Sequence, residues 1–114
     1  QLPASPGFQG LDLVHVDDAA NAFMQALDVV QNITDELATF GVSSGRHLTL
    51  RDLVAQIDTL AIRSCRINWG ARPYRPHEVF MPNPGPSLPG WQPAIDLVDG
   101  LKQILEDEGL LQPS

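Results

Sequence analysis

The chain has 114 residues, of which 43% are hydrophobic, so it can form one small domain and is too apolar to be disordered throughout. Fourteen acidic residues against seven basic ones give a net charge of -7, which argues against a nucleic-acid-binding protein with a basic face. The single cysteine, Cys65, excludes an internal disulfide and predicts a cytoplasmic protein. No apolar run approaches the roughly 20 residues of a membrane span.

The first part of the chain predicts a loop, a short strand and a helix. Residues 1–10 are rich in Pro, Ser and Gly and predict a loop, whereas residues 11–112 predict a single domain. Residues 11–16 have the apolar, β-prone composition of a short strand. Asp17 and Asp18 follow, and an aspartate in this position is expected to cap a helix. Apolar residues then recur at helical spacing on one expected buried face: Ala19, Ala22, Phe23, Ala26, Leu27 and Val30.

The middle of the chain predicts two short strands on either side of a second helix. Residues 37–42 are an apolar strand candidate, and residues 43–45 form a turn. Thr49 followed by Asp52 resembles a capping box, which marks the start of a helix. The apolar stripe of that helix comprises Leu50, Leu53, Val54, Ile57, Leu60 and Ala61. Residues 66–69 predict a further brief strand.

Proline dominates the segment before the last helix. Residues 73–93 hold seven of the ten prolines. Because proline lacks an N–H donor, this density predicts an extended connection without a helix or a central strand. A third helix is predicted around residues 97–105, with Asp96 as a possible cap and Gly109 as a stop. The whole pattern predicts an α/β fold, a small mixed α and β domain with three main helices and short strands.

Arginine is confined to one part of the chain. All six arginines lie between Arg46 and Arg75, and this window contains only two acidic residues, Asp52 and Asp58. Two interpretations stay open: the arginines are solvated surface residues, or they form a local anion site within an acidic chain. The triplet of His15, Asp17 and Asp18 lacks the spacing and the additional ligands of a metal site, so none is predicted.

Three local motifs resemble extended short-chain dehydrogenase/reductases, the NAD(P)-dependent epimerase/dehydratase family that acts on nucleotide sugars. The first, residues 14–20, reads VHVDDAA; the second comprises FGVSSGR at residues 40–46 and LTLRDL at residues 48–53. The third comprises RPHEV at residues 75–79 and GWQP at residues 90–93, followed by the last helix. The motifs occur in the family's order and cover residues 11–106. The chain departs from the family at Gly41, where Asn is usual, and at Ser43, where Gly is usual.

The resemblance implies that the chain is the C-terminal, substrate-binding lobe of such an enzyme, with the Rossmann lobe outside it. It implies that Arg75 contacts a substrate diphosphate, that Glu78 accepts from ribose hydroxyls or orients Arg75, and that Arg72 and Arg46 are weaker candidates for the same anion. The family's Gly-x-x-Gly-x-x-Gly loop and Tyr-x-x-x-Lys motif are absent from this sequence. We therefore expect no catalytic or cofactor-binding residue in this chain, with NAD(P) bound only in the intact enzyme.

Two functions are compatible with this sequence. In the first, the chain is the nucleotide-sugar-binding portion of an NAD(P)-dependent sugar epimerase, dehydratase or reductase and is not catalytic by itself. The alternative is a stand-alone, non-catalytic binding or interaction module that associates with itself. The expected partners are a nucleoside-diphosphate sugar, the missing Rossmann lobe and, for the isolated chain, a second copy in a homodimer; neither nucleic acid nor membrane is expected.

Overall fold

A computed structural model describes residues 1–34 and 37–113. Within them lie three helices and four strands of two residues each: β1 (Leu2–Pro3), β2 (Gly10–Leu11), α1 (Val16–Val30), β3 (Leu48–Thr49), α2 (Leu50–Leu60), β4 (Ile67–Asn68) and α3 (Leu97–Asp107). The predicted small mixed α and β domain is therefore confirmed. None of the described helices is long and apolar enough to cross a membrane.

The strands form two separate pairs. β1 pairs with β4 in parallel, with Leu2 opposite Ile67, and β2 pairs with β3 antiparallel, with Leu11 opposite Leu48. The prediction of a loop over residues 1–10 is therefore wrong at Leu2–Pro3 and at Gly10. Long-range partners override the local composition here, because the Leu2 amide donates to the Arg66 carbonyl (2.8 Å). The brief strand predicted at residues 66–69 is confirmed by β4.

Helix α1 begins at Val16, earlier than predicted, and its cap is not an aspartate. The backbone of His15 is extended, and its Nδ1 atom accepts a hydrogen bond from the Asp17 amide (3.0 Å). The predicted strand over residues 11–16 is limited to Leu11, because the helix takes over at Val16. Asp18 is buried and points to another part of the chain, so neither aspartate performs the predicted capping role.

The strand predicted over residues 37–42 is wrong, because only Gly41 forms an isolated bridge there, with Ser87. The Gly41 amide donates to the Pro86 carbonyl (2.7 Å). The neighbouring prolines supply carbonyl acceptors but no N–H donors, so a full ladder cannot form. A Cβ atom at Gly41 would collide with the Pro84 carbonyl oxygen. The glycine that departs from the family pattern is thus the residue that allows this proline-rich segment to approach.

The starts of α2 and α3 differ in how well their caps are satisfied. At α2 the capping box is complete, since Thr49 Oγ1 accepts from the Asp52 amide (3.1 Å) and Asp52 Oδ2 accepts from the Thr49 amide (3.0 Å). Asp96 precedes α3 as predicted, but its side chain makes no cap hydrogen bond. Helices α2 and α3 pack against each other, and residues 73–93 contain no helix or named strand, as predicted.

The described chain is flat, with extents of 52 × 38 × 17 Å, and its core is small. Its buried apolar residues are Ala22, Ala61, Leu88 and Leu105. The stripe predicted as the buried face of α1 is divided, because Ala22 is buried whereas Phe23 and Leu27 are 77% and 59% exposed. The error has a physical origin: the buried residues of α1 are Asp18 and Ala22, because the Asp18 carboxylate accepts hydrogen bonds from distant backbone amides, and a periodicity argument that assigns the most apolar face to the core cannot predict this.

Candidate anion-binding site

The segment that carries Arg72 and Arg75 is attached to the N-terminal strand. After β4 the chain turns, and the Arg72 amide donates to the Ala4 carbonyl (3.0 Å) while the Gly70 amide donates to the Ser5 carbonyl (3.1 Å). These backbone bonds fix where the proline-rich segment starts. The side chain of Arg72 is exposed beside this anchor.

Arg75 and Glu78 form the next turn, and the resemblance implied that both contact the substrate. The Glu78 amide donates to the Arg75 carbonyl (3.2 Å), which closes the turn. In return, Glu78 Oε2 accepts from the Arg75 amide (3.3 Å) and from Arg75 Nε (3.5 Å). The Glu78 side chain is 10% exposed and that of Arg75 is 86% exposed. Glu78 therefore holds Arg75 at Nε, and the terminal nitrogens of the guanidinium face solvent.

Aromatic rings lie beside this turn, and sequence reasoning did not assign them to the site. Tyr74 packs edge-on against Phe80, with ring centroids 4.9 Å apart. The Tyr74 hydroxyl accepts a hydrogen bond from the Phe8 amide (3.2 Å), which joins the segment to the first loop. Phe8 and Phe80 are 55% and 48% exposed. The only available signal was the sequence proximity of Tyr74 and Phe80 to Arg75.

Arg51, which the motif analysis left without a role, has a structural one. Its guanidinium lies 4.4 Å from the Phe8 ring centroid and 4.9 Å from that of Trp69. Its Nε atom also donates to the Pro6 carbonyl. Cation–π contacts on both rings and this hydrogen bond fix the first loop on α2. One of the six clustered arginines is therefore used to hold the chain together rather than to bind an anion.

Arg46 lies in a different place from Arg75. It lines a cleft of about 560 Å³ beside the start of α3, and its Nη1 atom is 3.8 Å from Asp96 Oδ1. Both side chains are more than half exposed, so this ion pair is screened by water and weak. The described lining of this cleft includes none of the other three predicted residues, Arg72, Arg75 and Glu78. The four predicted residues therefore divide into one segment with Arg72, Arg75 and Glu78, and a separate Arg46.

A second polar cluster fixes the Ser-Ser-Gly turn of the second motif. Asp12 accepts hydrogen bonds from the hydroxyls of Ser43 and Ser44 and from the Ser44 amide (2.8 Å). His47 Nε2 lies 3.8 Å from Asp12 Oδ2. Burial alone raises the pKa of Asp12, but the bonds from Ser43 and Ser44, together with His47, outweigh it, and the net pKa lies below its ordinary value. The serine at position 43, where the family has glycine, is thus a hydrogen-bond donor to Asp12.

Asp18 joins α1 to the segment that precedes α3. Its two carboxylate oxygens accept from the amides of Ala94 (3.0 Å) and Ile95 (2.9 Å), and its carbonyl accepts from Trp91 Nε1 (3.0 Å). The bonds from Ala94 and Ile95 hold the pKa of Asp18 below its ordinary value. Because both oxygens are occupied by backbone donors, this residue is structural. Within residues 1–34 and 37–113, no three His, Cys, Asp or Glu side chains are grouped as metal ligands.

Comparisons of the chain with protein-family models, curated proteins and solved structures found no match. The geometry of the described residues therefore carries the functional argument, together with the three motifs that suggested the family.

Proposed function

We propose that this chain is the nucleotide-sugar-binding portion of an NAD(P)-dependent sugar epimerase, dehydratase or reductase, and that it is not catalytic by itself. One observation carries the proposal: the guanidinium of Arg75 is open to solvent, yet its Nε atom is held by Glu78. A guanidinium positioned in this way has already lost part of its conformational freedom, so it can present its terminal N–H groups to two phosphate oxygens at a smaller entropic cost. The family resemblance predicts the same role for this residue.

The surroundings of Arg75 also suit a nucleoside diphosphate. Phe80 offers a half-exposed apolar ring on which a base could stack, and Arg72 adds a second exposed cation three residues before Arg75. The chain as a whole is acidic, so a local group of arginines gives an anion a favourable place within an otherwise repulsive field. The third motif favours GDP as the nucleotide, and CDP and dTDP stay open.

The cofactor is not expected to bind to this chain. Binding of a dinucleotide pyrophosphate requires a glycine-rich turn at the N-terminus of a helix. The helices of the described chain follow His15, Thr49 and Asp96, and none of these caps belongs to such a turn. In our proposal NAD(P) is held by a separate Rossmann lobe, the chain contributes substrate contacts only, and the enzyme is cytoplasmic.

A binding titration tests the proposal. GDP, pyrophosphate and NADP are titrated into the 114-residue chain, and amide chemical shifts are followed for wild type, Arg75→Ala and Arg63→Ala. We expect weak binding of GDP and pyrophosphate, and a loss of about tenfold to a hundredfold in affinity for Arg75→Ala, because a charge-assisted bidentate contact is removed.

Arg63 is the matched control, because it is an exposed arginine outside the Arg72–Glu78 segment, and Arg63→Ala should bind as wild type does. Equal affinities for wild type and Arg75→Ala would remove Arg75 from the site. Micromolar affinity for NADP would contradict the assignment of this chain to the substrate side.

The alternative, a stand-alone interaction module, is favoured by a different observation. Helix α1 exposes large apolar side chains along its outer face, which is unusual for a protein that works as a monomer.

A further inference from the structure

The outer face of α1 has the spacing of a helix–helix seam. Its side chains recur at intervals of four, three, four and three residues, in the order Val16, Ala20, Phe23, Leu27 and Val30. At 100° per residue they fall within an arc of roughly 80°, which is the narrow apolar stripe that pairs one helix with another. We call these five residues the α1 seam. The seam contains no charged residue.

The α1 seam is open in the described chain. Val16, Phe23, Leu27 and Val30 are 74%, 77%, 59% and 62% exposed. The opposite face of the same helix is already used, because Ala22 and Asp18 on it are buried. Helix α3 packs on α2 and contacts α1 at its cap, where His15 Nε2 lies 2.9 Å from Gln103 Oε1. An apolar stripe of this kind is rarely left open to water on a monomer, which favours a further contact on this face of α1.

We propose that the α1 seam binds the α1 seam of a second copy of this chain, so that the protein forms a two-fold symmetric dimer. Two-fold symmetry requires a patch that is complementary to itself, and an uncharged seam with regular spacing meets this requirement. Ala19, Ala20 and Ala26 lie within or beside the seam, and their small side chains allow two helices to approach closely. The inference is independent of nucleotide binding, because Arg75 lies outside α1.

The area of the seam is near the minimum for a specific dimer. With about 200 Å² for a whole phenylalanine and less for the aliphatic side chains, each copy presents roughly 500 Å² of apolar surface. Two copies would bury about 1,000 Å², which is the lower limit for a specific interface. The dimer should therefore form at micromolar concentrations and dissociate on dilution, rather than being permanent.

Sedimentation equilibrium of the full 114-residue chain tests the dimer across a concentration series. We expect the average mass to double between roughly 1 µM and 1 mM for wild type. Phe23→Glu places a carboxylate in the centre of the seam, where it would face an apolar surface and its own copy, so the dissociation constant should rise at least about thirtyfold. Asn21→Glu is the matched control: it adds the same charge at an exposed position of the same helix, off the seam, and it should dimerise as wild type does.

Three results would overturn the inference. The first is a wild-type monomer at 1 mM, which would leave the seam for a different partner such as a Rossmann lobe. The second is a dimer that Phe23→Glu does not weaken, which would place the interface on another surface. The third is equal weakening by Phe23→Glu and Asn21→Glu, which would mean that added charge alone is responsible. Far-ultraviolet circular dichroism checks that both variants keep their helices; Phe23 is mostly exposed in the single chain, so folding should not depend on it.

Discussion

Asp18 and Glu78 are both carboxylates in family-like motifs, and the structure uses them in opposite ways. Asp18 accepts hydrogen bonds from Ala94 and Ile95, which are 76 and 77 residues away along the chain. Within the part of the chain that the structure describes, Glu78 accepts only from Arg75, three residues before it. The Asp18 carboxylate joins two distant parts of the chain, and both of its oxygens already accept hydrogen bonds from backbone amides. The Glu78 carboxylate orders a local turn and leaves a cation exposed, so of the two carboxylates only Glu78 lies beside a charged group that is open to solvent.

The largest effect should follow from breaking the long-range connection. Asp18→Asn replaces one acceptor oxygen by an amide donor that faces a backbone N–H, so one of the two amides at Ala94 and Ile95 loses its partner inside the protein. We expect the equilibrium constant for unfolding to rise at least tenfold, measured by urea denaturation at pH 7. Asp17→Asn is the control, because the Asp17 side chain is 72% exposed, and it should unfold at nearly the wild-type urea concentration.

If Asp18→Asn and Asp17→Asn were equally stable, the contacts of Asp18 would contribute nothing to folding, and the contrast with Glu78 would disappear.

Lowering the pH should weaken the hydrogen bonds that Asp18 and Asp12 accept, over a predictable pH range. The folded-state pKa values of Asp18 and Asp12 both lie below the ordinary aspartate value, so the unfolded chain takes up protons first as the pH falls. Their contribution to stability is therefore fully present above about pH 4 and is lost as the pH falls through the folded-state values. Urea midpoints at pH 7, 5 and 3 should drop mainly in the last interval for wild type. The drop should be smaller for Asp18→Asn, and an equal drop would contradict the assignment.

The sequence predicted those parts of the fold in which local chemistry decides the structure. The capping box of Thr49 and Asp52 is formed as predicted, and the proline-rich segment lacks helices and named strands as proline requires. Predictions failed where distant partners decide. Leu2–Pro3 became a strand through Ile67–Asn68, and residues 37–42 failed to form one because the neighbouring prolines cannot donate.

The candidate site could be predicted only in part. The third motif indicated Arg75 and Glu78, and the structure brings them together. The same reasoning grouped them with Arg46, which the fold places in a separate cleft beside Asp96. The contact between Tyr74 and Phe80 was not expected, because two aromatic residues six positions apart in a loop have no periodicity that would indicate a contact.

The smallest expected effect concerns Glu78, and it tests whether this residue positions Arg75 or contacts the ligand through its charge. Glu78→Ala removes the acceptor for Arg75 Nε and for the Arg75 amide, so the guanidinium gains freedom that it must lose again on binding. We expect a loss of about threefold to tenfold in affinity for GDP and for pyrophosphate, because one ordered side chain costs about 1 kcal/mol. Glu78→Gln keeps an acceptor oxygen and should bind within about threefold of wild type.

The pattern across the two ligands separates the possible roles of Glu78. A positioning residue affects GDP and pyrophosphate equally, because Arg75 contacts phosphate in both. A residue that accepts from ribose hydroxyls affects GDP alone, because pyrophosphate has no ribose. If Glu78→Gln lost as much affinity as Glu78→Ala, the negative charge of Glu78 would be the essential property. The hydrogen bond from Arg75, which a glutamine oxygen can also accept, would then not explain how Glu78, nearly buried beside the exposed guanidinium, supports binding.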